Sequence, residues 1–318
     1  MCLNATSNHN NPFYNLSSKK RLSVLLGCSV SFLHKFKNSR NNYITYITTK
    51  KSNPTKTRPI EEPKNNLKNI HKKIKTIFDK INYPEYLHSG RKRHSYITNA
   101  KYHCSNQPIY CVTMDLSSFY QKGKKTFLAN SLINDFLMAK DIAWLLSDIM
   151  TIPNIDNTES YFPTGSPISQ LAIYFAYKKT FDDIFNFSKI RGIKFSLYVD
   201  DLTFSSTKKI SKSFVKSIIK RFEHIGLEVN HEKTKYFSKN SPKIITGCVV
   251  KKTNIFSRNS KKKEILDLLQ NSSTELENKK IFGKILAQQQ IEPLFFETTK
   301  IKIKKQIKNP NTFQPRIK

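Results

Sequence analysis

Residues 195–206 read FSLYVDDLTFSS. Asp200 stands beside Asp201 inside an apolar, strand-like run, in a chain with only 23 acidic residues among 318. Adjacent carboxylates in such a setting lose hydration and repel one another, so the pair is costly unless a cation neutralises it. The strand-like flanks on either side predict a hairpin with the acidic pair at its turn.

Upstream, IYCVTMD is a second strand-like segment that closes on Asp115, and 200 − 115 = 85 residues separate the two acidic positions. A single Asp at a strand end is ordinarily a turn residue or a cap. Three carboxylates at strand ends are what two magnesium ions need for in-line phosphoryl transfer. Hard divalent cations take oxygen ligands and leave positions open to phosphate oxygens.

The charge balance points the same way. Lys and Arg number 55 and Asp and Glu 23, so the net charge is 55 − 23 = +32. A field of that sign favours a polyanionic partner and salt-sensitive binding, with nucleic acid the first candidate and an anionic membrane surface the competitor. No apolar run approaches the roughly 18 residues that span a bilayer, and no signal-like apolar region follows the polar start MCLNATSNHNNPFYN, so no membrane role is expected. Cys2, Cys28, Cys104, Cys111 and Cys248 are scattered, without zinc spacing, and read as reduced thiols of a cytoplasmic protein.

The length predicts two or three packed subdomains, and the strand-like and helical segments along the chain make the expected class α+β. Residues 1–20 are expected to be flexible except where Phe13 or Tyr14 docks. SSKKRLSVLLGCSVSFLHKF predicts one or two short amphipathic helices, and YITYITTKK with NPTKTRPIEEP predicts a strand, a basic turn and a second strand. LKNIHKKIKTIFDKI, residues 67–81, predicts an amphipathic helix with a basic face. Helix is expected again over 126–149, after the turn PTGSPISQ and in FVKSIIKRFEHIG. KIITGCVV reads as one apolar strand. From Ser257 onward 14 basic and 6 acidic residues sit in largely helical patterns, which predicts a small basic domain.

YVDD together with VTMDLSSFYQ, FPTGSPISQLA and GLEVNHEKT, in this order and spacing, resembles the palm motifs of reverse transcriptases over roughly residues 20–300. NAKYH, from Asn99 to His103, is similar to the NAxxH element of retron reverse transcriptases, and ITG, from Ile245 to Gly247, to their VTG element. The chain is also expected to end, about 70 residues after ITG, too soon for the extensions of intron-encoded relatives. The resemblance implies a right-hand polymerase: fingers with N-terminal helices over 21–108, a palm of antiparallel sheet packed on helices over 109–250 with insertions at 121–160, and a helical thumb over 251–318. It implies RNA-templated synthesis of DNA from deoxynucleoside triphosphates with two Mg2+ ions in a bacterial cytoplasm. It further implies a structured noncoding RNA as template and, through a 2′-hydroxyl, primer, a branched RNA-linked single-stranded DNA product, and an effector or toxin protein partner in antiphage defence. The alternatives are an intron-type or other reverse transcriptase, an RNA-dependent RNA polymerase, or a basic RNA-binding scaffold without catalysis.

By the same resemblance Asp115 and Asp200 ligate the metals with the Leu116 carbonyl, and Asp201 supports them. Tyr120 falls where the family keeps an aromatic that excludes a ribose 2′-hydroxyl. Arg58 and Arg91 fall among the basic residues that hold the triphosphate and template, a task that suits the forked guanidinium. Thr164 and Gly165 line the nucleotide site, Gly165 by allowing close backbone approach to the nascent base pair. Here the sequence departs from the family, with Thr164 in place of Gln and Gln170 in place of Pro. Lys233 matches the lysine that assists the departing pyrophosphate. Asn99, His103, Thr246, Gly247, Lys261, Lys262 and Lys263 are the expected RNA-binding set, the histidine and asparagine either orienting RNA or bracing the fold.

Overall fold

The computed structural model describes residues 9–37, 39–50, 53–156, 158–271 and 274–308; Cys2 lies outside them. The chain is held from its first described residues. Phe13 and Leu16 are wholly buried, and Asn11 Nδ2 donates to the Ile77 carbonyl at 2.8 Å, so the expected flexible stretch is packed from residue 11 onward. Helices α1 (Lys19–Leu26) and α2 (Val30–His34) each start at a serine whose hydroxyl accepts a first-turn N–H, Ser18 from Arg21 and Ser29 from Phe32. Strands β1 (Tyr43–Lys50) and β2 (Asn53–Pro63) form the expected antiparallel ribbon. Helix α3 (Asn65–Phe78) buries Leu67, Ile70, Ile74, Ile77 and Phe78 at spacings of three and four, which leaves its lysines on the other face.

Next come α4 (Tyr96–Tyr102), β3 (Tyr110–Ser117), α5 (Phe119–Lys122), α6 (Lys125–Phe136) and α7 (Lys140–Met150). A small hairpin, β4 (Ile152–Pro153) and β5 (Ser160–Tyr161), leads to the long helix α8 (Ser169–Lys189). The acidic hairpin is β6 (Lys194–Tyr198) and β7 (Asp201–Ser206), followed by α9 (Lys212–Glu223), β8 (Glu228–Val229) and β9 (Lys235–Phe237). The last part holds β10 (Lys243–Ile245), β11 (Cys248–Lys251), β12 (Asn254–Ser257), α10 (Asn259–Asn271), α11 (Glu275–Gln289) and α12 (Glu297–Lys308).

These elements form two compact units. The first holds the described residues up to Arg93 with 114–202 and 211–234. Its core is aromatic: Phe78, Phe136 and Phe175 stand 4.7–5.7 Å apart, and α8 buries Tyr174, Tyr177 and Phe181 as well. The second holds 94–113, 203–210 and the described residues from Lys235, with one core around Ile97, Ala100, Cys111, Ile245, Cys248 and Val250 and another inside α10, α11 and α12. The central sheet has the order β6-β7-β3-β8, and β9 also pairs with β3; Leu116 faces Val229 and Val112 faces Tyr236.

Two expectations change. Residues 126–149 form two helices, because Leu137 adopts φ 52° and ends α6, with Met138 N–H returning to the Leu132 carbonyl. KIITGCVV forms two strands, β10 and β11, because Thr246 and Gly247 take φ 43° and 87° and close a two-residue hairpin loop between Ile245 and Cys248. Positive φ at both loop positions is what a tight right-twisted hairpin requires.

Candidate active site

The acidic turn sits beside the end of β3. Leu116 N–H donates to the Asp200 carbonyl at 3.0 Å, which sets Asp115 next to the Asp200–Asp201 turn. That turn has only Val199 and Asp200 between the strands, and Val199 adopts φ 59°. A β-branched residue is rarely found there, and the conformation costs about 1–3 kcal/mol. Neighbouring backbone holds it in place. Residues 86–89 run parallel to β6, with Leu197 N–H donating to the Tyr86 carbonyl at 2.8 Å and His88 N–H to the Leu197 carbonyl at 2.9 Å. Buried Ser89 then accepts the Val199 N–H on its hydroxyl at 2.9 Å.

The NHEKT turn brings a cation to the same place. Asn230 N–H donates to the Asp115 carbonyl at 2.7 Å, and Asn230 Oδ1 accepts the Lys233 N–H at 3.2 Å. The Lys233 ammonium consequently reaches both Asp115 carboxylate oxygens, at 2.9 Å each. Burial alone would lower the Lys233 pKa, but the Asp115 hydrogen bond and the charges of Asp115, Asp200 and Asp201 outweigh it and raise it. The ammonium is therefore firmly protonated.

One lysine does not neutralise three carboxylates. Burial, then the charges of Asp200 and Asp115, push the Asp201 carboxyl up to about 7, against the opposing pull of Lys233. The Tyr120 hydroxyl is pushed up by burial and by Asp200 and Tyr198, with Arg58 opposing, so Tyr120 faces the same acidic cluster and Arg58 stands within its field. Among the described residues no three His, Cys, Asp or Glu side chains are gathered as a ready metal-binding group. The donor set still fits hard divalent cations: carboxylate oxygens whose charge exceeds what Lys233 supplies, on a strand end and a turn joined by a backbone hydrogen bond.

The family model of reverse transcriptase (RNA-dependent DNA polymerase) matches residues 49–266, a span that contains all of these groups. The chain belongs to the reverse transcriptase family. It is 29% identical over 253 residues to the retron Se72 reverse transcriptase of Salmonella heidelberg (strain 579083-10), a match covering 76% of this chain and 65% of that protein. It is 27% identical over 228 residues to the retron Ec86 reverse transcriptase of Escherichia coli, covering 70% of this chain and 68% of that one. Among solved structures it is similar to apo telomerase from Candida tropicalis, with a TM-score of 0.49 and 14% identity over 85% of this chain and 58% of that one. The fold of this reverse transcriptase family member is mixed α+β, as the sequence predicts.

The remaining expected site residues fall into two groups. Arg58 is exposed on β2. Thr164 and Gly165 are bound to the same strand. The Thr164 hydroxyl and N–H donate to Glu61 Oε2 at 2.8 and 3.1 Å, and Gly165 N–H donates to the Glu61 carbonyl at 3.1 Å. A Cβ on Gly165 would lie 2.7 Å from that carbonyl oxygen, so the close approach the glycine permits here is to Glu61 of β2. Arg91 donates to the Pro84 carbonyl at 2.8 Å and so braces the backbone leading into residues 86–89.

In the second unit, Asn99 and His103 are buried, His103 Nδ1 sharing a 2.7 Å hydrogen bond with Ser205. Thr246 donates to the Tyr96 carbonyl at 2.8 Å and accepts from Asn99 Nδ2 at 3.4 Å, which ties the ITG loop to the NAKYH helix. In this arrangement the asparagine and histidine brace the fold. Gly247, at the loop tip, is free of any contact a Cβ would make. Lys261 pairs with Glu264, Lys262 with Glu292, and Lys263 is exposed.

Three residues that hold the site together escape the sequence reading. Glu61 is wholly buried and binds Thr164 and the Tyr161 hydroxyl, Ser89 holds the strained turn, and Asn230 aims Lys233. Only the Asn at the head of NHEKT carries a local signal, since Asn is a residue that bonds nearby backbone in turns.

Proposed function

We propose that this chain is an RNA-directed DNA polymerase of the retron type, extending a DNA strand with deoxynucleoside triphosphates on an RNA template. The observation that carries the reading is the meeting of Asp115 with the Asp200–Asp201 turn through the Leu116–Asp200 hydrogen bond, with Lys233 between the charges. Asp115, Asp200 and the Leu116 carbonyl would hold two Mg2+ ions, with Asp201 in support. Bound there, such ions lower the pKa of an attacking hydroxyl and stabilise the leaving pyrophosphate. Lys233 neutralises Asp115 in the free protein, and its protonated Nζ would donate to the departing pyrophosphate once nucleotide enters. Tyr120 closes the pocket against a ribose 2′-hydroxyl, and exposed Arg58 offers its donors to the triphosphate.

The retron assignment is supported by NAKYH and ITG and by the retron reverse transcriptases among the relatives. It carries a structured noncoding RNA that serves as template and 2′-hydroxyl primer, a branched RNA-linked DNA product, an effector protein partner in antiphage defence and a bacterial cytoplasmic setting. Fingers, palm and thumb would follow residues 21–108, 109–250 and 251–318. Among the described residues no helix is long and apolar enough to cross a membrane.

The test is primer extension with Mg2+ on an RNA template. Asp200→Asn should abolish DNA synthesis while RNA affinity persists, and a fully active variant would remove the carboxylates from the chemistry. Sequencing the nucleic acid that copurifies tests the retron assignment: a DNA 5′ end joined to an internal RNA 2′-hydroxyl is expected, and unbranched products would return the chain to the wider family.

A further inference from the structure

Helix α9 carries a stripe of positive charge that no ion pair among the described residues balances. Its buried face is Phe214, Val215, Ile218 and Phe222. Lys212, Lys216 and Lys220 follow one another at intervals of four on the solvent side, and all three are exposed. Among the described residues none of their ammonium groups has an ion pair or side-chain hydrogen bond. Like charges four apart on a helix repel and cost the isolated helix stability, and a lysine in the first turn also opposes the helix dipole. Other helical lysines are engaged. On α3, equally rich in lysine, Lys68 pairs with Glu62, Lys75 with Asp79, and Lys73 donates to the Leu26 carbonyl.

Beside the stripe lies a guanidinium pair. The Arg191 and Arg221 carbons stand 3.6 and 4.0 Å from the centre of the Phe187 ring, which itself stacks on Phe214 of α9. Stacking on an aromatic face fixes a guanidinium plane while leaving donors at its edge, although Arg221 Nε already serves Asp183. Lys212, Lys216 and Lys220 are distinct from Asp115, Tyr120, Asp200, Asp201 and Lys233, the groups proposed for chemistry.

We infer that the Lys212–Lys216–Lys220 face of α9, flanked by Arg191 and Arg221, is a docking surface for the phosphate backbone of RNA outside the polymerising site. Residues four apart on a helix are about 6 Å apart along its axis, a pitch at which each ammonium can meet a separate phosphate of one strand. The inference rests on the proposed function for the identity of the polyanion. It gives the structured RNA a second hold on the enzyme, independent of the template strand at the carboxylates.

The test uses the full chain and a synthetic RNA hairpin of about 20 base pairs, a length chosen to exceed the stripe. K212Q/K216Q/K220Q should bind about tenfold or more weakly at about 0.1 M salt, and its log–log salt slope should be shallower by roughly 2 to 3. K212R/K216R/K220R, which keeps the charges, should bind as wild type does, and the Gln variant should melt no lower than wild type because repulsion has been removed. An unchanged affinity and slope in the Gln variant overturns the docking surface. So does loss confined to binding of phosphatidylserine vesicles, which would assign the stripe to a membrane. Primer extension by the unmodified chain is scored separately: its failure would remove the polymerase reading, while a weakened Gln variant would still establish the RNA surface.

Discussion

The Asp200–Asp201 pair is legible in the sequence because carboxylates in an apolar run are conspicuous and the ordered motifs supply their partner at Asp115. The groups that make the pair usable are not. Ser89 looks like any loop serine, and its role depends on residues 86–89 lying against β6, a pairing that no local pattern encodes. Replacing Ser89 with Ala leaves the half-buried Val199 N–H without its partner and should lower stability by about 1 kcal/mol. DNA synthesis should slow with it, since the turn then loses what holds it at positive φ. Urea unfolding beside single-turnover extension measures both, and an unchanged variant would mean the turn holds itself. Tyr120 makes a second residue-level prediction. Tyr120→Ala should let ribonucleoside triphosphates compete with deoxynucleotides in primer extension, whereas a variant as selective as wild type would put the discrimination elsewhere.

Elements were legible where their period was unambiguous, as in the amphipathic α3 and the β1–β2 ribbon. They were misread where a break carried no glycine or proline, as at Leu137, or where a tight loop hid inside an apolar run, as at Thr246–Gly247. The join between α3, α7 and the PTGSP loop depends on a residue whose role could not be foreseen. His71 is fully buried, accepts or shares a proton with Ser166 Oγ through Nδ1 at 2.7 Å and meets the Ile149 carbonyl through Nε2 at 2.8 Å. Since Nε2 can only donate to a carbonyl, Nδ1 of neutral His71 accepts the hydrogen bond that the Ser166 hydroxyl donates. Burial lowers its pKa to about 4. In the unfolded chain it returns to about 6.5, so between those values the unfolded state binds the extra proton and stability falls as pH falls. The full contribution is present above about pH 6.5, and about 3 kcal/mol of it is lost by about pH 4. His71→Gln should be less stable than wild type near neutrality, and the gap between them should close across this window in urea titrations. A gap that stays constant with pH would show that His71 does not carry the acid sensitivity.

At the scale of the whole molecule, each compact unit is assembled from stretches that are separate in the chain. Net charge is the one global property that the sequence states without folding rules. At +32 the folded chain compresses its own repulsion, and the unfolded chain relaxes it, so screening should favour folding. Binding to nucleic acid has the opposite dependence, because salt returns the counterions that association releases. Raising NaCl from about 50 to about 300 mM should therefore lift the melting temperature of the free protein by about 2–4 °C. With saturating RNA the same change should lower it, since the stabilisation that a ligand confers shrinks with its affinity. Differential scanning fluorimetry of the two samples across one salt series reads both slopes. A flat or falling slope for the free protein would mean that the positive field is already balanced within the folded chain, and a rising slope with RNA would mean that RNA is held by contacts other than its phosphates.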